Sequence, residues 1–196
     1  MSARREELTK IAARLFARQG YQGTSLADLA EELGVQKPSL YHHIAAKEDL
    51  LWEVAWEGAN AFHAGLDAVP ADAPAAERIR LALRAHLAVV AGQLDIATVF
   101  VREWRYLEGE RHAAFVAERR RYEERIRELF REGVEGSQLR TDLDVPTAAL
   151  LFLSAANWAY TWLRPGADTD LLADRLYAAL LDGMRGYATP DGRAFL

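Results

Sequence analysis

The stretch SLADLAEELGVQKPSLYHHIAAKEDLL, residues 25–51, decides how this chain folds. Thr24 and Ser25 are N-cap residue types, and Asp28 follows Ser25 at the spacing of a capping box. Leu26, Leu29, Ala30 and Leu33 then form an apolar stripe at helical period, and Gly34 ends it as a left-handed residue would. One turn later a third, short helix begins, with Pro38 in its first turn, and a fourth starts near Lys47 and runs to about Leu66. Two short helices joined through a glycine turn have the outline of a helix-turn-helix. The internal chemistry agrees with that outline. Ala30 sits where the helices cross, Gly34 supplies positive φ, Val35 plugs the corner, and Leu40 and Ile44 return to the core of Leu29 and Leu33. The outer face of the third helix is then Gln36, Lys37, Ser39, Tyr41, His42 and His43. Such donors and acceptors can reach base edges and phosphates in a major groove. An ordinary helical corner with a polar surface has the same pattern, so the two readings stand side by side.

Outward from this stretch the period stays near 3.6. A first helix covers about 3–19, with Leu8, Ile11, Ala12, Leu15 and Phe16 on one stripe and Gly20 as its stop. The segment DAVPADAPAA, residues 67–76, reads as a linker because of Pro70, Pro74 and its small residues. Further helical patterns follow at about 75–91, 94–107, 110–135, 146–163 and 168–187, and the polar tail TPDGRAFL reads as a frayed terminus. The expectation is an all-α protein of about nine helices. A helix-turn-helix domain over 1–50 would dock on a larger bundle over 51–196.

Composition narrows the function. The chain has 196 residues, 51% hydrophobic and 27% charged, which suits an ordinary folded domain. No apolar run approaches the ~20 residues of a membrane span, and MSARREELTK lacks the apolar core of a secretory signal. A cytoplasmic protein is the default expectation. With no cysteine, disulfides, thiolate metal sites and cysteine nucleophiles are excluded. Net charge is −5, yet residues 1–52 carry seven basic and seven acidic side chains, and all three lysines lie there. A local basic face is therefore compatible with the overall acidity. No serine-hydrolase elbow, dinucleotide or phosphate-binding loop, HExxH or paired ExxH pattern occurs, so the chain does not read as an enzyme. Adjacent helical residues point ~100° apart, so His42 and His43 cannot converge on one metal. His63, His86 and His112 stand singly and read as surface or satisfied core residues.

Thr24-Ser25, Leu29-Ala30, Gly34-Val35, Lys37, Leu40-Tyr41-His42, Lys47-Glu48 and Leu50-Leu51 together resemble the DNA-binding module of the tetracycline-repressor (TetR) family. The likeness covers about residues 5–52 without a gap. It implies a homodimer on a pseudo-palindromic double-stranded operator, with an all-α C-terminal domain that dimerises and holds a small effector. By the same resemblance Thr24 and Ser25 cap the second helix against phosphate, Gln36, Lys37, Ser39, Tyr41 and His42 read or anchor on DNA, and Lys47 contacts the backbone. Two positions depart from the family pattern. Gln36 stands where a Ser or Thr cap is usual, and Ala46 stands where Ser is common, giving up a cap worth ~1 kcal/mol.

The remainder offers two stretches. Arg102 to Arg131 holds nine Arg and seven Glu, which reads either as a solvated charged helix with Phe115, Ile126, Leu129 and Phe130 beneath it or as an arginine cluster for a phosphorylated ligand. Arg102 and Arg105, flanking Trp104 on a short apolar helix, are the candidates for the second role. The other stretch, ALLFLSAANWAYTWLRPG, interrupts a small-residue packing helix with Asn157, Trp158, Thr161 and Trp162. That helix reads as a dimer interface or as one that also binds something. REWRYL, RRRYEERIRELF and NWAYTWLRPG together resemble the TetR repressors that govern fatty-acid, phenylacetate or sterol breakdown and respond to acyl-CoA thioesters. This implies Asn157, Trp158, Trp162 and Arg164 near the thioester, Arg102 and Arg105 near the CoA phosphates, no bound cofactor, and dimerisation through the last two helices. A repressor answering another hydrophobic molecule, such as an efflux regulator, is the alternative within the family. A helical-bundle carrier or enzyme that binds no DNA is the alternative outside it.

Overall fold

The computed structural model describes residues 3–164 and 166–184. Among them lie nine α-helices: α1 (Ala3–Gln19), α2 (Leu26–Leu33), α3 (Lys37–Leu40), α4 (Lys47–Asp67), α5 (Ala75–Gly92), α6 (Leu94–Arg102), α7 (Gly109–Glu135), α8 (Val145–Asn157) and α9 (Thr169–Met184). There is no strand among the described residues, and the all-α expectation is met. The expected end of the last helix at 187 and the polar tail lie outside the described residues.

The first three helices fold as their caps dictate. Ser25 Oγ accepts from the Asp28 N–H at 3.1 Å, and the Asp28 carboxylate accepts from the Ser25 N–H at 2.8 Å, which completes the capping box. Gly34 takes φ 70°, and the Val35 N–H closes on the Ala30 carbonyl at 2.9 Å. Leu29, Leu33, Leu40 and Ile44 are buried together with Leu8, Ala12 and Phe16 of α1. α3 is only four residues long, since Gln36 offers its first turn no side-chain cap, and residues 41–43 continue it as a turn.

α4 runs from this corner into the body of the protein and packs against α1, α5, α6 and α7. Its Ala46 cap is bare, and only the returning half of a capping box is made: the Asp49 carboxylate accepts from the Ala45 and Ala46 N–H groups, both at 2.9 Å. α6 crosses α4 at Gly58, where an added Cβ would lie 2.9 Å from Phe100 Cβ. Only glycine permits that approach.

Two helices end earlier than their patterns suggest. α6 stops at Arg102 rather than near 107, and residues 104–106 tighten into a 3₁₀ turn. Its geometry leaves the Glu103 carboxylate pointing back at α1. α8 stops at Asn157, and residues 158–161 form a second 3₁₀ turn in which the Thr161 hydroxyl donates to the Trp158 carbonyl at 2.8 Å. No single described helix is long and apolar enough to cross a membrane, and the α5–α6 pair that could by composition is bent by 107°.

Gly58→Ala is expected to lower stability by ~1–3 kcal/mol, since Phe100 and α6 must move to admit the methyl group. Gly65→Ala, whose methyl would meet Ala85 and Val89 at an ordinary 3.5 Å, is expected to be neutral or slightly stabilising. Denaturant titration of the two variants beside the parent protein measures the difference.

Candidate functional site

The helix-turn-helix presents a compact polar face. Gln36, Lys37, Tyr41 and His42 are exposed and Ser39 is half-buried, with Tyr41 keeping 56% of its surface free. His43 turns away from them, and its carbonyl accepts from the Arg5 guanidinium of α1. Thr24 does not join this face. It is buried, and its hydroxyl donates to the Gly20 carbonyl at 2.8 Å, so Ser25 alone caps α2. Lys47 also differs from expectation. Its ammonium donates to the Tyr21 and Thr24 carbonyls, each at 2.7 Å, and lies 4.2 Å from the Tyr21 ring centre. Burial draws its pKa below the ordinary lysine value, with Asp28 opposing the shift. Backbone carbonyls thus take two of the three donors that the sequence reading assigned to DNA, and Lys47 instead ties α4 to the α1–α2 turn.

Behind this face lies a seam between the two parts of the chain. Glu103, almost fully buried, accepts the Tyr21 N–H at 2.9 Å. The Tyr21 ring stacks on Tyr106 with centres 5.7 Å apart and meets Phe16 edge-on at 5.3 Å. Further along, Arg111 of α7 donates to Asp49 at 2.7 Å, and the Glu108 N–H donates to Glu48 at 3.1 Å. The start of α4 is therefore bonded to the segment that follows α6.

Beneath α6 is a narrow cleft of about 50 Å³, lined by His86, Phe100, Arg119, Tyr122, Glu123, Leu153 and Asn157. The Arg119 guanidinium lies 5.4 Å from the Phe100 ring centre and 5.0 Å from that of Trp104, and it donates weakly to the Phe100 carbonyl at 3.4 Å. No carboxylate pairs with it among the described residues, and burial lowers its pKa. His86 is wholly enclosed by Phe62, Tyr122 and their neighbours. Its Nδ1 lies 3.1 Å from the Tyr122 hydroxyl, and its Nε2 has no hydrogen-bond partner. Burial drives the imidazole down to about 3, so the ring is neutral. His86 is thus a core residue, as expected from the sequence, but not a satisfied one.

The seven expected ligand residues fall in four places. Arg102 and Arg105 are exposed at the end of α6, Arg102 beside Glu103 at 3.5 Å and Arg105 donating to the Arg102 carbonyl at 2.8 Å. Trp104, between them, turns inward against Phe115, His112 and Arg119. Asn157 reaches the cleft. Trp158 and Trp162 are 61% and 40% exposed, and Arg164 is exposed beside them, so these three do not line the cleft in one protomer. Leu150, Leu151 and Leu171 of α8 and α9 are likewise exposed.

Arg119 and Tyr122 escaped the sequence reading. The signal was there: Phe115, Arg119, Tyr122 and Ile126 share one stripe of α7, which puts one arginine on the buried side of a helix otherwise sheathed in charge. The rest of the charge run behaves as a solvated face, with Arg127 paired to Glu123 and Glu124, and Arg131 to Glu124 and Glu128. Among the described residues no three potential metal ligands gather.

A glycine-turned helix pair with a polar outer face, set on a helical bundle through α4, has the form of a DNA-binding regulator. Comparison with known proteins agrees. Residues 8–54 match the family described as bacterial regulatory proteins, tetR family, and residues 72–184 match the tetracyclin repressor-like C-terminal domain. The chain belongs to the TetR family of transcriptional repressors. It is 27% identical to the HTH-type transcriptional repressor KstR2 of Mycobacterium tuberculosis over 195 residues, covering 98% of this chain and 96% of the relative. The TetR-family regulator PfmR of Thermus thermophilus superposes with a TM-score of 0.83 at 30% identity, over 92% of this chain and 97% of that one. AibR in complex with isovaleryl coenzyme A and operator DNA superposes with a TM-score of 0.83 at 29% identity, over 91% and 98%. The family and these relatives are regulators of transcription, not enzymes.

The buried imidazole makes stability depend on pH. With its folded pKa held at about 3 against ~6.5 unfolded, His86 contributes stability in full above the unfolded value. Below ~6.5 the unfolded chain takes up a proton that the fold refuses, and stability falls by roughly 1 kcal/mol per pH unit. His63, also lowered, chiefly by burial and then by Arg121, adds in the same direction. Urea titrations across this range are expected to show a shallower loss for His86→Phe than for the parent protein.

Proposed function

We propose that this chain is a ligand-responsive repressor that binds a pseudo-palindromic operator as a homodimer and releases it on taking up an acyl-CoA thioester. The genes under its control would then serve lipid or aromatic-acid degradation. The observation that carries the effector class is AibR, a relative along nearly the whole chain that is found with isovaleryl coenzyme A and operator DNA. Gln36, Lys37, Ser39, Tyr41 and His42 meet the DNA, with Ser25 at the phosphate-facing start of α2. Thr24 and Lys47 hold that face from behind. The apolar surface of Leu150, Leu151, Trp158, Trp162 and Leu171 is the dimer contact, built from α8 and α9 across a two-fold axis. Two recognition helices then enter successive major grooves at a spacing set by that contact.

The effector enters beneath α6. A cleft of about 50 Å³ is far smaller than the ~300 Å³ or more of an occupied ligand pocket, so binding must push Phe100 and α6 away from α7 and α8. α6 carries Glu103 at its end, and through the Tyr21 N–H the push reaches α1, the α2 cap and the start of α4. The operator-competent spacing is lost because the ligand binds the displaced arrangement better.

Gel retardation of DNA from just upstream of the coding region, titrated with acyl-CoAs and the matching free acids, tests this reading. Release by a thioester but not by its acid is expected. A complex that no thioester disturbs would remove the acyl-CoA effector and leave the repressor. Tyr41→Ala should weaken the operator complex roughly tenfold while the dimer persists in sedimentation, and the complex should weaken steeply as salt rises. Glu103→Ala should still bind thioester yet release DNA less completely, which a comparison of calorimetric affinity with half-release concentration reads directly.

A further inference from the structure

The cleft beneath α6 holds a buried ring nitrogen without a partner and a half-buried guanidinium that no carboxylate pairs among the described residues. The Tyr122 hydroxyl has no acceptor in reach among the described residues other than His86 Nδ1, so it donates there and the ring proton sits on Nε2. That N–H is buried and unpartnered. The Arg119 guanidinium lines the same small space with five N–H donors, one of which makes a long contact to the Phe100 carbonyl. A buried donor without an acceptor is costly, and a cavity that keeps one beside a half-buried guanidinium is suited to a ligand that supplies an acceptor.

The charge around the cleft selects the kind of acceptor. Glu123 also lines it, with its carboxylate already engaged by Arg127. Arg119 would attract a ligand carboxylate and Glu123 would oppose one, whereas a neutral carbonyl oxygen accepts from Arg119 and His86 without adding a charge. The neutrality of His86 points the same way, since an uncharged N–H does not compensate an anion.

We infer that Arg119 and His86 Nε2–H receive the acyl carbonyl oxygen of the effector in the cleft beneath Phe100. The site therefore reads the carbonyl oxygen of an acyl derivative such as a thioester. Asn157 borders the same space and can bond a polar group on the chain next to the carbonyl. Arg102 and Arg105, exposed at the end of α6, take no part in this contact. The inference rests on the acyl-CoA reading above and adds the recognition residues and the atom recognised.

The test is calorimetric titration of the full-length dimer with acetyl-, butyryl-, octanoyl- and palmitoyl-CoA. Each is set beside the S-alkyl-CoA thioether of the same length, which lacks only the carbonyl oxygen, and beside the free acid. The best thioester should bind roughly ten- to a hundredfold more tightly than its thioether, the penalty of burying donors without an acceptor. In Arg119→Met and His86→Phe that ratio should shrink toward one, with the operator complex retained as evidence of folding. Equal binding of thioester and thioether by the parent protein would overturn the inference while leaving a CoA effector in place. Tighter binding of the free acid would also overturn it. Failure of every CoA derivative to bind would overturn the acyl-CoA reading and the inference with it.

Discussion

One buried carboxylate joins the two halves of this molecule. Glu103 accepts the Tyr21 N–H where α1 gives way to α2, and it does so from the end of the helix that roofs the cleft. A buried carboxylate needs hydrogen-bond partners, so the bond fixes both sides at once: the turn after Gln19 cannot drift from α6, and α6 cannot advance without moving the turn. The Tyr21–Tyr106 stack and the Arg111–Asp49 pair lie along the same seam and hold the start of α4 to it. The exposed face of Gln36, Lys37, Tyr41 and His42 stands on that framework.

The cleft and the seam are separated by Phe100 and Trp104, the two rings on which the Arg119 guanidinium rests. This arrangement explains why the charge-rich α7 matters beyond its surface pairs. Arg121, Arg127 and Arg131 meet glutamates three or four residues away and contribute little each, and Arg111 and Arg125 meet Asp49 and Asp67 of α4. Arg119 is the exception because its position on the helix turns it toward rings instead of water.

Most of the fold was legible in the sequence because its signals are local. Ser25 with Asp28, Gly34, and the Leu29–Leu33–Leu40–Ile44 set each act within a few residues, and the helix-turn-helix follows from them. Where α6 and α8 end was not legible. Trp104, Tyr106, Trp158 and Tyr160 continue a helical pattern, and only a distant bond from Glu103 to Tyr21, or the hydroxyl of Thr161, shows why the backbone tightens there. Among the candidate site residues, the family resemblance gave Thr24 a cap against phosphate and Lys47 a contact to the DNA backbone, while within the fold Thr24 bonds the Gly20 carbonyl and Lys47 the Tyr21 and Thr24 carbonyls. Arg119 was hidden by company: in a run of alternating Arg and Glu, one arginine on the apolar stripe stands out only when the stripe is drawn through Phe115, Tyr122 and Ile126.

The contact of Gly58 with Phe100 gives α4 the mechanics of a lever. The fulcrum lies near the middle of a helix of 21 residues, and Lys47, at the end that carries the DNA-facing corner, is about 16 Å away at 1.5 Å per residue. A tilt of about 5° at Gly58 therefore moves the corner by ~1.5 Å. In the proposed dimer, two such corners would move in opposite senses and double the change in their separation. A glycine with no side chain thus sets the gain of the device, because the closer the load rests to the pivot, the larger the travel at the far end.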